Sequence, residues 1–455
     1  MNTHTPVPAA GGRRWPVVFT VLVVIFLATI LALLNTHASA AVAADPTPVA
    51  AGGGEYTVPH VEHLTEADRA DIEATIAANV SHLMETGQIS TPRMSETVAL
   101  AWPLMAAPDF DDPGYYTITG YVDHNPAFPG QLLDYACGQR TYDTSGGYNH
   151  QGTDYYLWPF AWNKMAEGDV MVVAAAPGVI VNKTDGNFDQ SCSFNSQKWN
   201  AIYIRHADGS IAWYGHLKRD SVTTKQIGET VAVGEYLGLV GSSGNSTGPH
   251  LHLELYDSSY HLIDPYAGSC NPTTPVSWWQ AQRPYQDPAV NKLMTGSAPV
   301  SFQSCPSQDI TNEATVFQPG DIIYFTAFYR DQPGGDVSTY RLLRPDGTVH
   351  VEWTHSSPQS FYKMSYWWWA FELGPDLPSG TWTFEVEFEG TTTSHAFYLG
   401  QAASGTPPPT SLLSWPHRLL SVGHINSCWW GYAGRWSNAH GNAIPGTDST
   451  LDSGN

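Results

Sequence analysis

The stretch STGPHLHLEL (residues 246–255) alternates polar and apolar residues and carries two histidines one residue apart. Pro249 cannot donate a hydrogen bond within a sheet, so the stretch predicts a strand that begins at His250. Because side chains alternate between the faces of a strand, His250, His252 and Glu254 share one face and the leucines take the other. Two imidazoles about 6.6 Å apart along a strand suit a site in which one binds a metal ion and the other reaches the water bound to it.

Two further segments carry residues of the same chemistry. In YNHQGTDYY, His150 and Asp154 are separated by three residues, a spacing that would place both on one face of a helix. The intervening Gly152 and the aromatic neighbours favour a loop that enters a strand, and the pair can converge where the backbone curves at this glycine. The segments AIYIRH and SIAWYGHL flank a turn at 207–209, which predicts a hairpin whose second arm ends at His216.

The charge balance limits the partners of the chain. Its 455 residues include 20 Lys and Arg against 42 Asp and Glu, a formal charge of −22. Such a charge opposes binding to nucleic acid or to anionic wall polymers by electrostatics alone. We therefore expect no nucleic-acid partner, and any polymer that the protein recognises must be held by shape and specific contacts.

The N-terminal residues predict export. The run 17–34 is free of charge and follows a pair of arginines. Ala38-Ser39-Ala40 offers a small-residue cleavage site, so residues 1–40 are interpreted as a cleaved signal peptide, with a retained signal anchor as the alternative. In both cases the chain after Ala40 is extracytoplasmic, that is secreted, periplasmic or associated with the cell wall, and only an uncleaved N-terminal segment would contact a membrane.

Residues 41–98 are interpreted as a linker followed by one short helical region. The Ala, Pro and Gly content of 41–58 favours a linker. Thr65 with Asp68 is typical of a helix start, and apolar residues then recur at helical spacing up to a stop at Gly87. We interpret this element as a packing helix, with a lid or pro-segment over an active site as the alternative.

The remainder predicts a mainly β protein. Short apolar or alternating runs punctuated by glycine fill the segment 99–270. A second unit, 298–400, contains about six or seven short strands separated by turns, which suggests an Ig-like β-sandwich accessory domain. Residues 401–455 form a low-complexity tail. Because every candidate residue named above, apart from Glu254, precedes residue 253, we expect a chain that ends near Pro284 to keep the chemistry.

Three of these motifs together resemble a known family. HQGTD, YGHL and GLVGSSGNSTGPHLHLE occur in the order found in the lysostaphin/LytM-type zinc endopeptidases of bacterial cell walls, and the resemblance covers about residues 99–270. It implies an antiparallel β-sheet catalytic domain that binds one Zn²⁺ per chain. Carried over position by position, it implies that His150, Asp154 and His252 are the metal ligands and that His216 and His250 are catalytic.

Those residue types suit the implied chemistry. Three protein ligands leave one tetrahedral position for water, whose pKa zinc lowers to about 7. Histidines beside the metal can take the proton of that water and pass one to the leaving amine. Glu254 is a candidate for orienting a ligand imidazole, and Tyr142 or Tyr148 is a candidate for stabilising the intermediate.

The predicted function is that of an exported zinc metallo-endopeptidase that hydrolyses peptide bonds in peptidoglycan cross-links or stem peptides. A non-catalytic wall-binding or amidase-activating protein of the same fold is one alternative, but such forms lose metal ligands and this chain keeps all three. A secreted protease that acts on Gly-rich proteins is the other. The loops choose the bond that is cleaved, so these motifs leave the substrate peptide open.

The five cysteines contain no CxxC pair, so disulfides outside the cell are more natural than a cysteine zinc site. We predict that Cys137 pairs with Cys192, because both lie within the catalytic segment. Cys270 and Cys305 flank the junction to the sandwich and form the second predicted pair. Cys428, in the tail, is left over.

Overall fold

The computed structural model describes Met1 and residues 48–58, 64–92 and 98–400. Apart from Met1, the predicted signal segment with its cleavage site lies outside the described residues, and so does the tail with Cys428. Among the residues that are described, no helix is long and apolar enough to cross a membrane.

The described part of the chain is mainly β, as the sequence predicts. Its two helices are α1 (Glu66–Glu85) and α2 (Ala161–Glu167). Its strands are, in chain order, β1 (Ala50–Glu55), β2 (Leu104–Ala106), β3 (Tyr116–Gly120), β4 (Thr153–Leu157), β5 (Val170–Val173), β6 (Gly178–Thr184), β7 (Ala201–Arg205), β8 (Ile211–Gly215), β9 (Thr230–Val231), β10 (Tyr236–Leu239), β11 (His250–Tyr256), β12 (Leu262–Ile263), β13 (Ala289–Gly296), β14 (Val316–Phe317), β15 (Ile322–Pro333), β16 (Val337–Leu343), β17 (Val349–Ser356), β18 (Phe361–Glu372), β19 (Gly380–Phe388) and β20 (Thr391–Leu399).

The histidine motifs lie on one antiparallel sheet, in the part of the chain that we call the site domain (residues 98–286). The strand order is β3-β4-β11-β8-β7-β6-β9, and β12 pairs with β11. Strand β11 begins at His250 immediately after Pro249, as predicted, and β7 and β8 form the predicted hairpin. A smaller sheet, β10-β5-β2, shares the same apolar core. The central position of β11 buries every residue along it.

Helix α1 has the predicted ends. Thr65 caps it by accepting a hydrogen bond from the backbone N–H of Asp68, and Gly87 follows its end with φ 72°. Its buried Ile76 and Leu83 pack in a cluster of residues from β6, β7, β8 and β11. The helix therefore packs on the sheet, and the face it covers is the one that carries His252, because alternate residues of β11 share a face.

Residues 289–399, together with strand β1, form two further sheets, which we call the sandwich. The first has the order β1-β18-β15-β13 and the second β14-β20-β19-β16-β17. Side chains from both sheets meet in one aromatic-rich core. All pairings are antiparallel except that of β14 with β20. The structure thus has two packed antiparallel sheets here, and Ig-like connectivity stays a prediction.

The interpretation of 41–58 as a linker is wrong for residues 50–55. This segment is strand β1, which extends the edge of the sandwich by pairing with β18. A Cβ at Gly52 would lie 2.7 Å from the Trp368 ring, so the glycines allow a close approach that larger residues would block. Composition alone could not identify this strand, because its pairing partner lies more than 300 residues away in sequence.

The sandwich and the site domain share buried contacts. Asn291 on β13 donates to the backbone carbonyls of Tyr116 and Trp158, and Arg140 pairs with Asp331. Met294, Phe328 and Met364 of the sandwich belong to the core cluster of the site domain. Removal of the sandwich would expose the apolar side chains of the site domain that pack against these three residues. This argues against the expectation that a chain ending near Pro284 keeps the chemistry.

The predicted disulfide pairing is wrong. The pairs are Cys137–Cys270, with Cα atoms 5.1 Å apart, and Cys192–Cys305, with Cα atoms 5.8 Å apart. A disulfide requires Cα atoms within about 7 Å, and the fold, rather than proximity in sequence, decides which cysteines satisfy that. The backbone N–H of Cys270 donates to the carbonyl of Tyr135, which holds the two loops of the first pair together.

Candidate metal centre

Three buried side chains bring their ligand atoms together at the centre of the larger sheet. Asp154 lies 3.1 Å from His150, between Oδ2 and Nε2, and 2.7 Å from His252, between Oδ1 and Nδ1. The two imidazoles approach within 3.3 Å through the same nitrogen atoms. This group could hold a metal ion. Two nitrogens and one carboxylate are a common donor set for zinc with an open coordination position.

Strand register and one glycine create this cluster. Asp154 on β4 is the direct cross-strand partner of His252 on β11. His150 stands before β4, and its Nδ1–H donates to the carbonyl of Tyr121 at 2.7 Å, which turns Nε2 towards the other two residues. A Cβ at Gly152 would lie 2.7 Å from the His252 ring, so only glycine fits where the chain curves between His150 and Asp154.

Glu254 lies where the strand alternation predicts, beside His252. The Nε2–H of His252 donates to Glu254 Oε1 at 2.8 Å, which leaves Nδ1 facing Asp154. Burial acts to lower the pKa of His252, but its hydrogen bonds to Asp154 and Glu254 outweigh burial and raise the pKa to about 10. Burial acts to raise the pKa of Asp154, whereas the adjacent His150 and His252 hold it well below its usual value. The carboxylates of Asp154 and Glu254 therefore favour a positive charge within the site. A bound cation would supply that charge in place of a proton.

His216 and His250 form a second pair of buried imidazoles beside the cluster. Their ring centroids are 4.6 Å apart, and that of His216 is 5.8 Å from that of His252. The Nδ1–H of His216 donates to the carbonyl of Ser243 at 2.6 Å, and that of His250 donates to the carbonyl of Gly248 at 2.7 Å. A carbonyl can only accept, so Nδ1 carries a proton in both rings and Nε2 is the nitrogen left to exchange one.

His216 owes its orientation to an uncommon backbone conformation. It follows the last residue of β8 and has φ 59°, in the left-handed region. A residue other than glycine in this region carries a cost of about 1–3 kcal/mol that the surrounding structure must offset, and such residues cluster at functional sites. The turn directs the ring towards His250 instead of continuing the strand alternation.

Comparison with known proteins places these residues in a family. The model of peptidase family M23 matches residues 149–265, a range that includes both imidazole pairs and Asp154. Residues 149–265 form a peptidase family M23 domain.

Curated relatives are also similar to part of this chain. The peptidoglycan DD-endopeptidase ShyC of Vibrio cholerae is 35% identical over 112 residues, which are 25% of this chain and 21% of that protein. The DD-carboxypeptidase/endopeptidase Mpg of Neisseria meningitidis is 51% identical over 55 residues, 12% of each chain. This chain thus covers about a fifth or less of the length of these two relatives.

Solved structures are also similar to part of this chain. The catalytic domain of the antimicrobial peptidase lysostaphin from Staphylococcus simulans is 24% identical, covers 33% of this chain and 89% of that one, and has a TM-score of 0.22. A zinc-containing peptidase from Vibrio cholerae is 21% identical, covers 37% of this chain and 39% of that one, and has a TM-score of 0.24.

The two candidate tyrosines occupy different places near the candidate metal cluster of His150, Asp154 and His252. The ring of Tyr142 stacks on that of His150, with centroids 4.3 Å apart. The ring centroid of Tyr148 lies 6.3 Å from that of Tyr142. The hydroxyl of Tyr148 accepts a hydrogen bond from the backbone N–H of Gln151 at 3.4 Å. The stacked ring supports a metal-ligand candidate from one side, whereas the assignment of either hydroxyl to an intermediate stays a prediction.

Sequence inspection missed Trp199, which touches the second histidine pair. Its ring lies edge-on to that of His216 at 5.0 Å and 6.1 Å from that of His252. Its indole N–H donates to Tyr203 at 2.8 Å, which fixes the ring. A Cβ at Gly215 would lie 2.2 Å from this indole, so the glycine of the YGHL motif makes room for it. In the sequence, this glycine is the local feature that indicates a bulky neighbour at this position.

Proposed function

We propose that the protein is a zinc metallo-endopeptidase that hydrolyses peptide bonds of peptidoglycan. The observation that carries this proposal is the convergence of His150, Asp154 and His252 into a buried two-nitrogen, one-carboxylate cluster with His216 and His250 alongside. The M23 match and the printed activities of the relatives, a DD-endopeptidase and a DD-carboxypeptidase/endopeptidase, support the reaction class.

Each residue has a role that its geometry supports. His150 Nε2, Asp154 and His252 Nδ1 would hold Zn²⁺, which when bound supplies an acidic water and a positive charge for the scissile carbonyl. His216 and His250 hold their Nδ1 protons on backbone carbonyls. Their Nε2 atoms are therefore the groups that accept the proton of the attacking water and return one to the leaving amine.

The proposed substrate implies a location outside the cytoplasm, where peptidoglycan is found, and the sequence of residues 1–40 predicts the same location. Its formal charge of −22 gives it no overall attraction to anionic wall polymers. Recognition then depends on contacts around the M23 domain. The complete ligand set favours an active enzyme over a wall-binding or amidase-activating relative that lacks ligands.

Digestion of purified peptidoglycan tests the proposal. The zinc-loaded full-length protein is incubated with intact sacculi, and mass spectrometry identifies new amino termini in the released fragments. We expect cleavage between amino acids, loss of cleavage on chelation, and recovery with added zinc. Asp154→Asn should abolish cleavage, while His261→Ala, at a side chain that is 81% exposed, serves as the matched control. Cleavage that does not depend on zinc would overturn the proposal. So would the absence of cleavage by a folded, zinc-loaded protein.

A further inference from the structure

Helix α1 inserts a buried arginine beside the candidate metal cluster of His150, Asp154 and His252. Arg69, which is 5% exposed, donates from its two terminal nitrogens to both oxygens of Glu254, at 2.6 and 3.0 Å. It also contacts the hydroxyl of Tyr256. This fork-on-carboxylate geometry fixes the plane of the carboxylate as well as neutralising it. The arginine comes from outside the 149–265 match.

The surroundings of Arg69 hold it in this place. Its guanidinium carbon lies 5.6 Å from the centre of the Trp213 ring, and Trp213 is the direct cross-strand neighbour of Glu254. The hydroxyl of Tyr256 donates to Glu254 Oε2 at 2.5 Å. Glu254 is thus a buried, fully paired carboxylate.

One oxygen of Glu254 links the arginine to the metal cluster. Oε1 accepts from Arg69 at 3.0 Å and from the Nε2–H of His252 at 2.8 Å. The second hydrogen bond sets the rotation of the imidazole, whose Nδ1 then lies 2.7 Å from Asp154. Loss of such an outer partner typically weakens metal binding about 10- to 100-fold, because the ligand ring is no longer held.

We propose that Arg69 is a positioning residue of the metal site, acting through Glu254 to hold His252 in its ligating orientation. Helix α1 then supplies a residue that supports the metal centre. This inference rests on the metal-binding part of the proposed function and makes no use of its substrate. Without Arg69, the buried carboxylate would be left with an uncompensated charge, and it would turn, take up water or bind a proton.

Zinc affinity of the purified full-length protein, measured by competition with a chromophoric chelator, tests this inference. Arg69→Met keeps much of the side-chain length without charge or donors, and we expect it to weaken zinc binding about 10- to 100-fold. Arg69→Lys should recover part of the loss, because it restores the charge but not the fork. Asn79→Ala is the control: Asn79 lies on the same helix and donates to the carbonyl of Val181 at 2.9 Å, away from Glu254. Its zinc affinity should equal that of the wild type.

A double variant distinguishes action through Glu254 from loss of folding. Glu254→Gln and Arg69→Met/Glu254→Gln leave no unpaired buried carboxylate. If Arg69 acts through this carboxylate, the two should bind zinc equally, so the effects are not additive. If Arg69 were only a nearby positive charge that repels the cation, Arg69→Met would bind zinc more tightly than the wild type. That result would overturn the inference. So would an equal loss in Asn79→Ala. Failure of the wild type to bind zinc at all would instead overturn the proposed function.

Discussion

The two histidines of strand β11 should lose different properties when each is replaced by alanine. His252 offers Nδ1 to the cluster and hydrogen-bonds Asp154 and Glu254. His250 belongs to the second imidazole pair, with its ring 4.6 Å from that of His216, and its Nδ1–H donates to the carbonyl of Gly248, outside the cluster. His252→Ala should therefore lose zinc, whereas His250→Ala should keep zinc and lose turnover.

The magnitudes follow from what each side chain contributes. A positioned acid–base group contributes about 10²- to 10⁴-fold in rate, or roughly 3–5 kcal/mol of transition-state stabilisation. We expect kcat of His250→Ala to fall by that factor, because the three ligand atoms stay in place. Removal of His252 deletes a ligand and not merely its outer partner. Its loss of zinc affinity should therefore exceed about 100-fold, the upper figure for an outer partner.

Zinc content, chelator competition and kcat, measured on the same preparations, decide between the two roles. His261→Ala serves as an exposed histidine control in the same sheet region, and thermal unfolding checks that each variant folds. If His250→Ala loses zinc while His252→Ala keeps it, the roles are reversed. If both variants keep zinc and full activity, the cluster is not the active site and the reasoning from strand alternation fails.

Three other changes test the surrounding structure. Gly152→Ala should lose zinc, because the added Cβ would lie 2.7 Å from the imidazole of His252. Gly146→Ala should keep zinc, because its Cβ would lie 3.6 Å from its nearest neighbour. Equal zinc content in the two variants would refute this reasoning. Replacement of Cys192 and Cys305 by alanine should lower the free energy of unfolding, measured with urea, by about 4–5 kcal/mol, since the bridge closes a loop of 113 residues; unchanged stability would argue against the pair. Burial raises the pKa of Asp309 to about 6, so its carboxylate destabilises the fold as pH rises through 6, and the effect vanishes below about pH 4. Asp309→Asn should thus be more stable than the wild type at pH 7.5 by about 1–2 kcal/mol after solvent screening, and equally stable near pH 4; a stability difference independent of pH would contradict this.

Local patterns in the sequence determined the elements that carry the candidate site. The alternation after Pro249 predicted strand β11 and the shared face of His250 and His252, and the structure has both. Thr65 and Gly87 predicted the ends of helix α1. These signals succeed because capping, turn formation and strand alternation depend on residues that are close together in the chain. The ordered motifs added the family, which periodicity alone does not identify.

Only the tertiary structure decided which distant elements meet. The cysteine pairs, the addition of β1 to the sandwich and the contact of Arg69 with Glu254 join residues more than 100 positions apart. No local pattern distinguishes Arg69 from an exposed helical arginine, because its burial depends on the sheet face that α1 covers. Such contacts form only when the whole core closes, since each element offers several surfaces of similar polarity and packing selects one combination. The sequence therefore predicted the ligand candidates, while the fold decided what holds them in place.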